Sequence, residues 1–384
     1  GLLKVLSTVG RNNGTTADVA RKLAEVLHAQ GREDEAEKLI RTVLDIHKKI
    51  GTRASSRKAA QASRLLGTIL VAQEDWDGAM VEFDQIRSNL QSNRALFKKM
   101  FAHSPALSVA LIRTGRSEEV LAMLPHIYEK AKKRAGKKQF NTAKLGSLLA
   151  MAHAATDKPR EALVHFREAV PILLTRSRQA DDETTGDTTS ETWISLILEG
   201  YIGVLTDIRG SDLEAEFELD AAAEAFRMAD AARNRSIQRA VAASGARSLA
   251  GTPELADLVR REQDAQKQIS AQYAVLADVL GAPTDQQDAD VVHALRVQID
   301  ALRGARASMM NEIETKFPEY ASMLNPKPDT IEEARAVLRP GEALISTYVG
   351  RERTFVWSIP AEGAYAFAAA ELDREDLEDL VGLI

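Results

Sequence analysis

Four stretches of the 384-residue chain share one layout without gaps: LAEVLHAQGREDEAEKLI (Leu23 to Ile40), LGTILVAQEDWDGAMVEF (Leu66 to Phe83), LSVALIRTGRSEEVLAML (Leu107 to Leu124) and LAMAHAATDKPREALVHF (Leu149 to Phe166). Their first residues lie 43, 41 and 42 positions apart. Each runs from an apolar residue through a polar turn to a smaller residue, with a larger apolar one four positions later. The resulting pairs are Ala36/Ile40, Ala79/Phe83, Val120/Leu124 and Ala162/Phe166. A fixed period of this length marks a repeat architecture, in which each unit cannot bury its apolar face alone and so stacks on its neighbours. The smaller residue lets two helices approach, and the larger one fills the groove between units.

The layout resembles the tetratricopeptide repeat, a pair of antiparallel helices packed through such a small residue. A period near 42, against about 34 in that repeat, implies helices longer by about a turn each. A fifth, less regular unit is expected from Trp193 to Ala229, with AAAEAFRMADAARNR as its second helix. The segment RQADDETTGDTTSE before it has no hydrophobic period and reads as an exposed loop. The opening GLLKVLSTVGRNNG lacks a partner helix, as though a preceding repeat had been cut.

From Pro253 the pattern lengthens. Leu255, Leu258, Ile269, Tyr273, Leu276 and Leu280 form one stripe, and Val292, Leu295, Ile299, Leu302, Met309, Ile313 and Phe317 form another. Between them GAPTD supplies a helix-ending glycine, a proline and a polar cap. A long antiparallel helical hairpin with a seam of about 3.5 residues is expected. After FPEYASMLNPKP come a short helix, Thr330 to Leu338, and two alternating runs, ALISTYV and TFVWSI, around a turn at Gly350 to Arg353. A third strand, AYAFAAA, and a helix, DREDLEDLVGLI, follow. Three strands and one helix cannot close a core alone.

The order of ADAARNRSIQRAVA, a helical hairpin, FPEYASMLNP and LRPGEALISTYVGRERTFVWSIP resembles the entry to a CHAT domain, the caspase-like domain found behind tetratricopeptide repeats. The resemblance covers Asp230 to Ile384, and with the repeats nearly the whole chain. It implies a mainly α protein: a right-handed repeat solenoid over 1–236, the helical hairpin and connecting helix over 237–338, and the first strands of a truncated caspase-like α/β domain over 339–384. Proteins of that kind resemble caspases and separase, in which a histidine and a cysteine on neighbouring strands form a dyad and the thiolate attacks a carbonyl. Family members carry both residues beyond the point matching Ile384, so no catalytic residue is carried onto this chain. It contains no cysteine.

The resemblance therefore implies the regulatory, protein-binding part of a cysteine endopeptidase of a bacterial defence or cell-death system. The alternatives are a non-catalytic scaffold and a module that docks on a ribonucleoprotein of the CRISPR type, to which some members of the family attach. No cofactor or metal is expected: the seven histidines, among them His28, His103, His126, His153 and His165, make no ligand spacing, and the glycine pairs lack a nucleotide fingerprint. A net charge of -6 argues against global attraction to nucleic acid. Lacking a long apolar span or a leader, the sequence reads as cytoplasmic.

Two candidate sites emerge. By alignment, the concave face of the first helices carries Asp18, Arg21, Glu25 and His28, then Gln61, Arg64 and Thr68, then Val109 and Arg113, then Lys144, Ser147 and Met151. Its basic residues suit an acidic segment or a peptide carboxylate of a protein partner. The second site, KAKKRAGKK, places Lys130, Lys132, Lys133, Arg134, Lys137 and Lys138 at a helix end, where they could hold phosphate oxygens of RNA or simply complement the helix dipole. Without aromatic neighbours for base stacking the second role is favoured. Acidic EAEFELD could contact this patch within the molecule or in a neighbour.

Overall fold

A computed structural model describes residues 10, 12–101, 104–180, 188–233, 252–281, 289–318, 320 and 329–382. Helical pairs recur at the expected period: α1 (Gly14–Ala29) with α2 (Glu33–Lys49), α3 (Arg57–Ala72) with α4 (Trp76–Asn89), α6 (Pro105–Arg113) with α7 (Ser117–Ala135), and α8 (Phe140–Ala154) with α9 (Pro159–Ala180). A short α5 (Arg94–Phe101) is inserted before the third pair. The fifth unit is α10 (Thr188–Ile208), a single turn α11 (Asp212–Glu216), and a helix α12 over residues 221–233. Helix thus extends into both ends of the polar segment expected to be a loop, since α9 runs to Ala180 and α10 starts at Thr188. Helix propagation from well-packed neighbours overrides weak local propensity there.

All four small-and-large pairs are buried, Ala36/Ile40, Ala79/Phe83, Val120/Leu124 and Ala162/Phe166 alike. The turns between first and second helices also repeat. A residue in the left-handed region stands eight positions after each segment start: Gly31, Glu74, Gly115 and Asp157. The next amide donates back to a carbonyl five residues earlier, as Arg32 to Leu27, Asp75 to Leu70, Arg116 to Leu111 and Lys158 to His153. This is the bond that ends a helix with a left-handed residue and satisfies an orphan carbonyl.

First helices pack side by side, α1 on α3, α3 on α6, α6 on α8 and α8 on α10, and α10 returns to touch α1. Close approach is set by small residues. A Cβ on Gly200 of α10 would lie 3.3 Å from Met151 and 3.5 Å from Phe166, and Gly146 of α8 faces the Tyr128 ring.

The chain forms two compact units. One holds 1–175, 186–232 and 330–384, so the strand-bearing segment expected to open a separate domain belongs with the repeats. It comprises α15 (Ile331–Ala336), β1 (Ala343–Val349), β2 (Thr354–Pro360), β3 (Ala366–Ala370) and α16 (Arg374–Gly382). The strands form an antiparallel sheet in the order β1-β2-β3, with Tyr348 opposite Phe355 and Trp357 opposite Phe367. One face is buried through Tyr348, Phe355, Trp357, Ile359 and Phe367, all members of the same core cluster as the repeats. A three-stranded sheet needs such a partner to be stable, and the repeats provide it.

The second unit holds 176–185 and 233–329. In it α13 (Pro253–Gly281) packs along α14 (Ala289–Lys316) as the two apolar stripes require, with Leu255, Leu258, Ile269, Leu276, Leu295, Ile299 and Ile313 buried. The seam is interrupted by a buried ion pair, Arg306 Nε to Glu262 Oε1 at 2.5 Å. The GAPTD turn beyond Gly281, most of the opening segment, residues 234–251 and the latter part of FPEYASMLNP lie outside the described residues.

Candidate functional site

The concave-face residues divide by helix. On α1 and α3, Asp18, Arg21, Glu25, Gln61, Arg64 and Thr68 all keep surface exposure, with Glu25 and Arg64 the most open. Lys58 reaches from α3 to Asp18 at 2.6 Å, and Arg21 pairs with Glu25, so charges of both signs alternate across the two helices. His28 is buried at the end of α1, its Nδ1 2.7 Å from Glu33 Oε2, which makes it a packing residue.

On α6 and α8 the expectation needs correction. Val109, Ser147 and Met151 are buried, with exposures of 0%, 0% and 5%, because adjacent first helices consume that face. Met151 packs against Gly200 of α10, and the Ser147 hydroxyl donates to the Ala143 carbonyl. Lys144 lies over the Trp193 ring at 4.5 Å. Arg113 pairs with Glu352 of the β1–β2 turn and stacks over Trp76 at 5.6 Å.

That turn is the feature sequence reasoning missed. Arg351 bonds Glu74 through Nε at 2.6 Å and Glu199 at 2.7 Å, and Arg353 bonds Asp207 at 2.7 Å. The Tyr348 hydroxyl donates to the other Glu199 oxygen at 2.9 Å, and burial, then the Glu199 carboxylate, pushes its pKa up. Ion pairs thus join the hairpin to three repeats. Nothing local in RERT announces this, because the partners lie 146 to 277 residues away.

In the basic patch, Lys132 pairs with Glu129 and covers the Tyr128 ring, and Lys137 pairs with Glu168. Lys130, Lys133, Arg134 and Lys138 are exposed, Lys133 and Arg134 in the last turn of α7. A cationic last turn offsets the partial negative charge of the helix C-terminus. Acidic 214–220 does not meet this patch. Glu214 accepts from the Gly210 and Ala221 amides, Glu216 pairs with Arg160, and Asp220 accepts from the Tyr365 hydroxyl.

His153 and His165 stack at 5.7 Å with planes 8° apart, and Tyr128 meets His165 edge-on at 5.4 Å. Parallel rings do not converge their in-plane lone pairs on one ion. Burial lowers both pKa values, and burial, then Glu168, pushes the Tyr128 hydroxyl up to about 12. His126 is exposed on α7, and His103 lies outside the described residues. Among the described residues no group of three or more histidines or carboxylates could hold a metal, and no helix is long and apolar enough to cross a membrane.

A cavity of about 490 Å³ opens between Arg209, Glu214, Asp220 and Tyr365. Its polar side chains are already engaged: Arg209 donates to the Phe367 carbonyl, Glu214 accepts from the Gly210 and Ala221 amides, and Tyr365 donates to Asp220.

Residues 16–50 match the tetratricopeptide repeat. That span is α1 and α2, the first helical pair. No curated protein matches the chain.

Proposed function

We propose that the repeats bind a protein segment across α1 and α3, and that the chain is the partner-sensing, regulatory part of a caspase-like cysteine protease of the TPR-CHAT kind. The observation that carries the binding role is the contrast between first helices: on α6 and α8 Val109, Ser147 and Met151 are buried and Arg113 and Lys144 are half-buried, whereas on α1 and α3 Asp18, Arg21, Glu25, Gln61, Arg64 and Thr68 all keep surface exposure, Glu25 and Arg64 being the most open. Such alternating charge suits an extended segment with its own acidic and basic side chains. The protease assignment is supported by the sheet. Its second face, formed by Ala343, Ile345, Thr347, Val356, Ser358, Ala366, Ala368 and Ala370, carries no charged side chain, and Ile345 is 60% exposed. Antiparallel sheets facing water on one side normally place polar residues there, so this face suits a further layer, as in a larger α/β domain.

The test is photo-crosslinking in the native host, with a benzophenone amino acid at Gln61 or Arg64 and, as control, at Val81 on α4. The expected result is one discrete protein captured at Gln61 and Arg64 and not at Val81; equal capture at all three sites, or none, overturns the binding role. A native product with a strand-borne histidine and cysteine that cleaves peptides only beside the captured protein supports the protease reading, and one lacking them leaves a scaffold. Docking on a ribonucleoprotein would instead require salt-sensitive RNA binding, lost when Lys132, Lys133 and Arg134 become Glu.

A further inference from the structure

We infer that the β1–β2 turn is an ionic clamp, which fixes the second, third and fifth repeats relative to one another and ties their arrangement to the C-terminal sheet. Three successive turn residues all pair with the array. Arg351 bridges Glu74, in the turn of the second repeat, and Glu199, on α10 of the fifth. Glu352 pairs with Arg113 at the end of α6 in the third repeat, and Arg353 joins Asp207 on α10 to Glu371 just beyond β3.

The bridge at Arg351 is not an ordinary surface pair. Side-chain exposure is 21% for Arg351 and 12% for Glu199, so solvent and salt screen it less than the open pairs elsewhere. Glu74 also occupies a conformation to which it is poorly suited. Its φ is +64°, at the position where the first and third repeats have Gly31 and Gly115 and the fourth has Asp157. Glycine adopts this region without cost and aspartate tolerates it, whereas a longer side chain gains nothing from it locally. Glu218 takes the same left-handed conformation at the turn of the fifth unit, with φ +48°, so what distinguishes Glu74 is the bond its side chain makes to the Arg351 guanidinium. The turn itself is tight: a Cβ on Gly350 would stand 2.8 Å from the Arg353 carbonyl oxygen.

Hydrophobic anchoring runs along the buried face of the sheet, from Tyr348 and Phe355 beside the turn to Trp357, which meets Phe226 and the Ala222 carbonyl on α12. The Trp357 contact is independent of the turn's charges, so the ion pairs can be removed with that anchor in place. Any change in repeat spacing must stretch bonds that end on the three turn residues Arg351, Glu352 and Arg353 between β1 and β2, so repeat geometry and sheet geometry are coupled through a few charges.

Hydrogen exchange read by mass spectrometry tests this on the protein alone, so its failure would leave the partner-binding proposal standing. Glu74→Lys places a second cation opposite Arg351. Exchange is expected to speed up about tenfold not only in its own turn but in β1 and around Glu199 and Asp207 on α10, the loss of a charge-assisted bond being of that size. Combining Glu74→Lys with Arg351→Gln should exchange no faster in β1 than Arg351→Gln alone, as the non-additivity of a direct pair requires. Acceleration confined to residues 70–78, or effects that simply add in the double variant, overturns the clamp. Should Glu74→Lys fail to fold, Arg351→Gln carries the same readout at 70–78 and on α10. The absence of cysteine allows a second measurement. Spin labels at Val81→Cys and Arg227→Cys should report a broader distance distribution in Arg351→Gln than with the native arginine, and an unchanged distribution overturns the clamp.

Discussion

The indole of Trp357 stands edge-on to the Phe226 ring, centroids 5.8 Å apart and planes at 75°, and its Nε1 donates to the Ala222 carbonyl at 2.9 Å. Trp357 is fully buried and also stacks on Phe367 at 4.8 Å, so one side chain joins the sheet to the last helix of the fifth repeat. Trp357→Ala should cost about 3–5 kcal/mol of unfolding free energy and Trp357→Phe about 1–2. Urea unfolding of both variants checks this. A loss within about 0.5 kcal/mol for the alanine variant, the range of ordinary surface substitutions, would mean that the sheet is not docked this way.

Helix approach within a repeat gives a second prediction. A Cβ on Gly67 of α3 would lie 2.9 Å from two ring carbons of Phe83 on α4, and Phe83 is buried on all sides. Gly67→Ala gains helix propensity of nearly 1 kcal/mol but must displace that ring, an overpacking cost of about 1–3 kcal/mol. Net destabilisation is expected, and Gly67→Ala with Phe83→Leu should recover part of it. Thermal melts of the three proteins decide the sign.

This pair also marks how far the sequence could be read. The period and the small-and-large rule located Phe83 and its three counterparts because repeat packing is a local, recurring constraint. Residues that meet only through tertiary closure had no such signal. Val109, Ser147 and Met151 occupy positions that resemble exposed ones in α1 and α3, and only tertiary packing of neighbouring helices, as of Met151 against Gly200 of α10, decides their burial. Arg351 and Glu74 are 277 residues apart, and the local pattern around each carries no sign of the other. The strands were legible from alternation, whereas the surface they pack on was not.

The stacked histidines predict an acid-sensitive step. Burial lowers the pKa of His153 and of His165, so the unfolded chain binds protons more readily than the folded one. Glu161, Glu118 and Lys158 face His153, while Glu168, Glu129, Lys132 and His153 itself face His165. Stability is then full above the unfolded histidine pKa of about 6.5 and is lost as pH falls from there through the folded values. Each histidine can contribute a slope of at most about 1.4 kcal/mol per pH unit. Urea midpoints of wild type and His165→Phe, compared at pH 7.5 and 5.5, should show a shallower fall in the variant; parallel curves would remove these rings as the cause.

The last prediction concerns the helical hairpin, where Arg306 and Glu262 sit in the seam with side-chain exposures of 7% and 14%. Two charges taken out of water cost several kcal/mol each, repaid only while both are present. Arg306→Ala leaves the Glu262 carboxylate buried without this partner, and a loss of about 3–5 kcal/mol is expected. Arg306→Met with Glu262→Leu removes both charges and continues the apolar stripe between Ile299 and Ile313, so stability should be equal to wild type or higher by about 1–4 kcal/mol. What the ion pair then contributes is register: in a seam of interchangeable apolar residues it fixes which turn of α14 faces which turn of α13. Hydrogen exchange across Pro253–Gly281 should therefore become less uniform in the apolar double variant even as its melting temperature is held or raised. A double variant as unstable as Arg306→Ala would instead place the cost in lost packing, since the arginine stem buries apolar surface of its own.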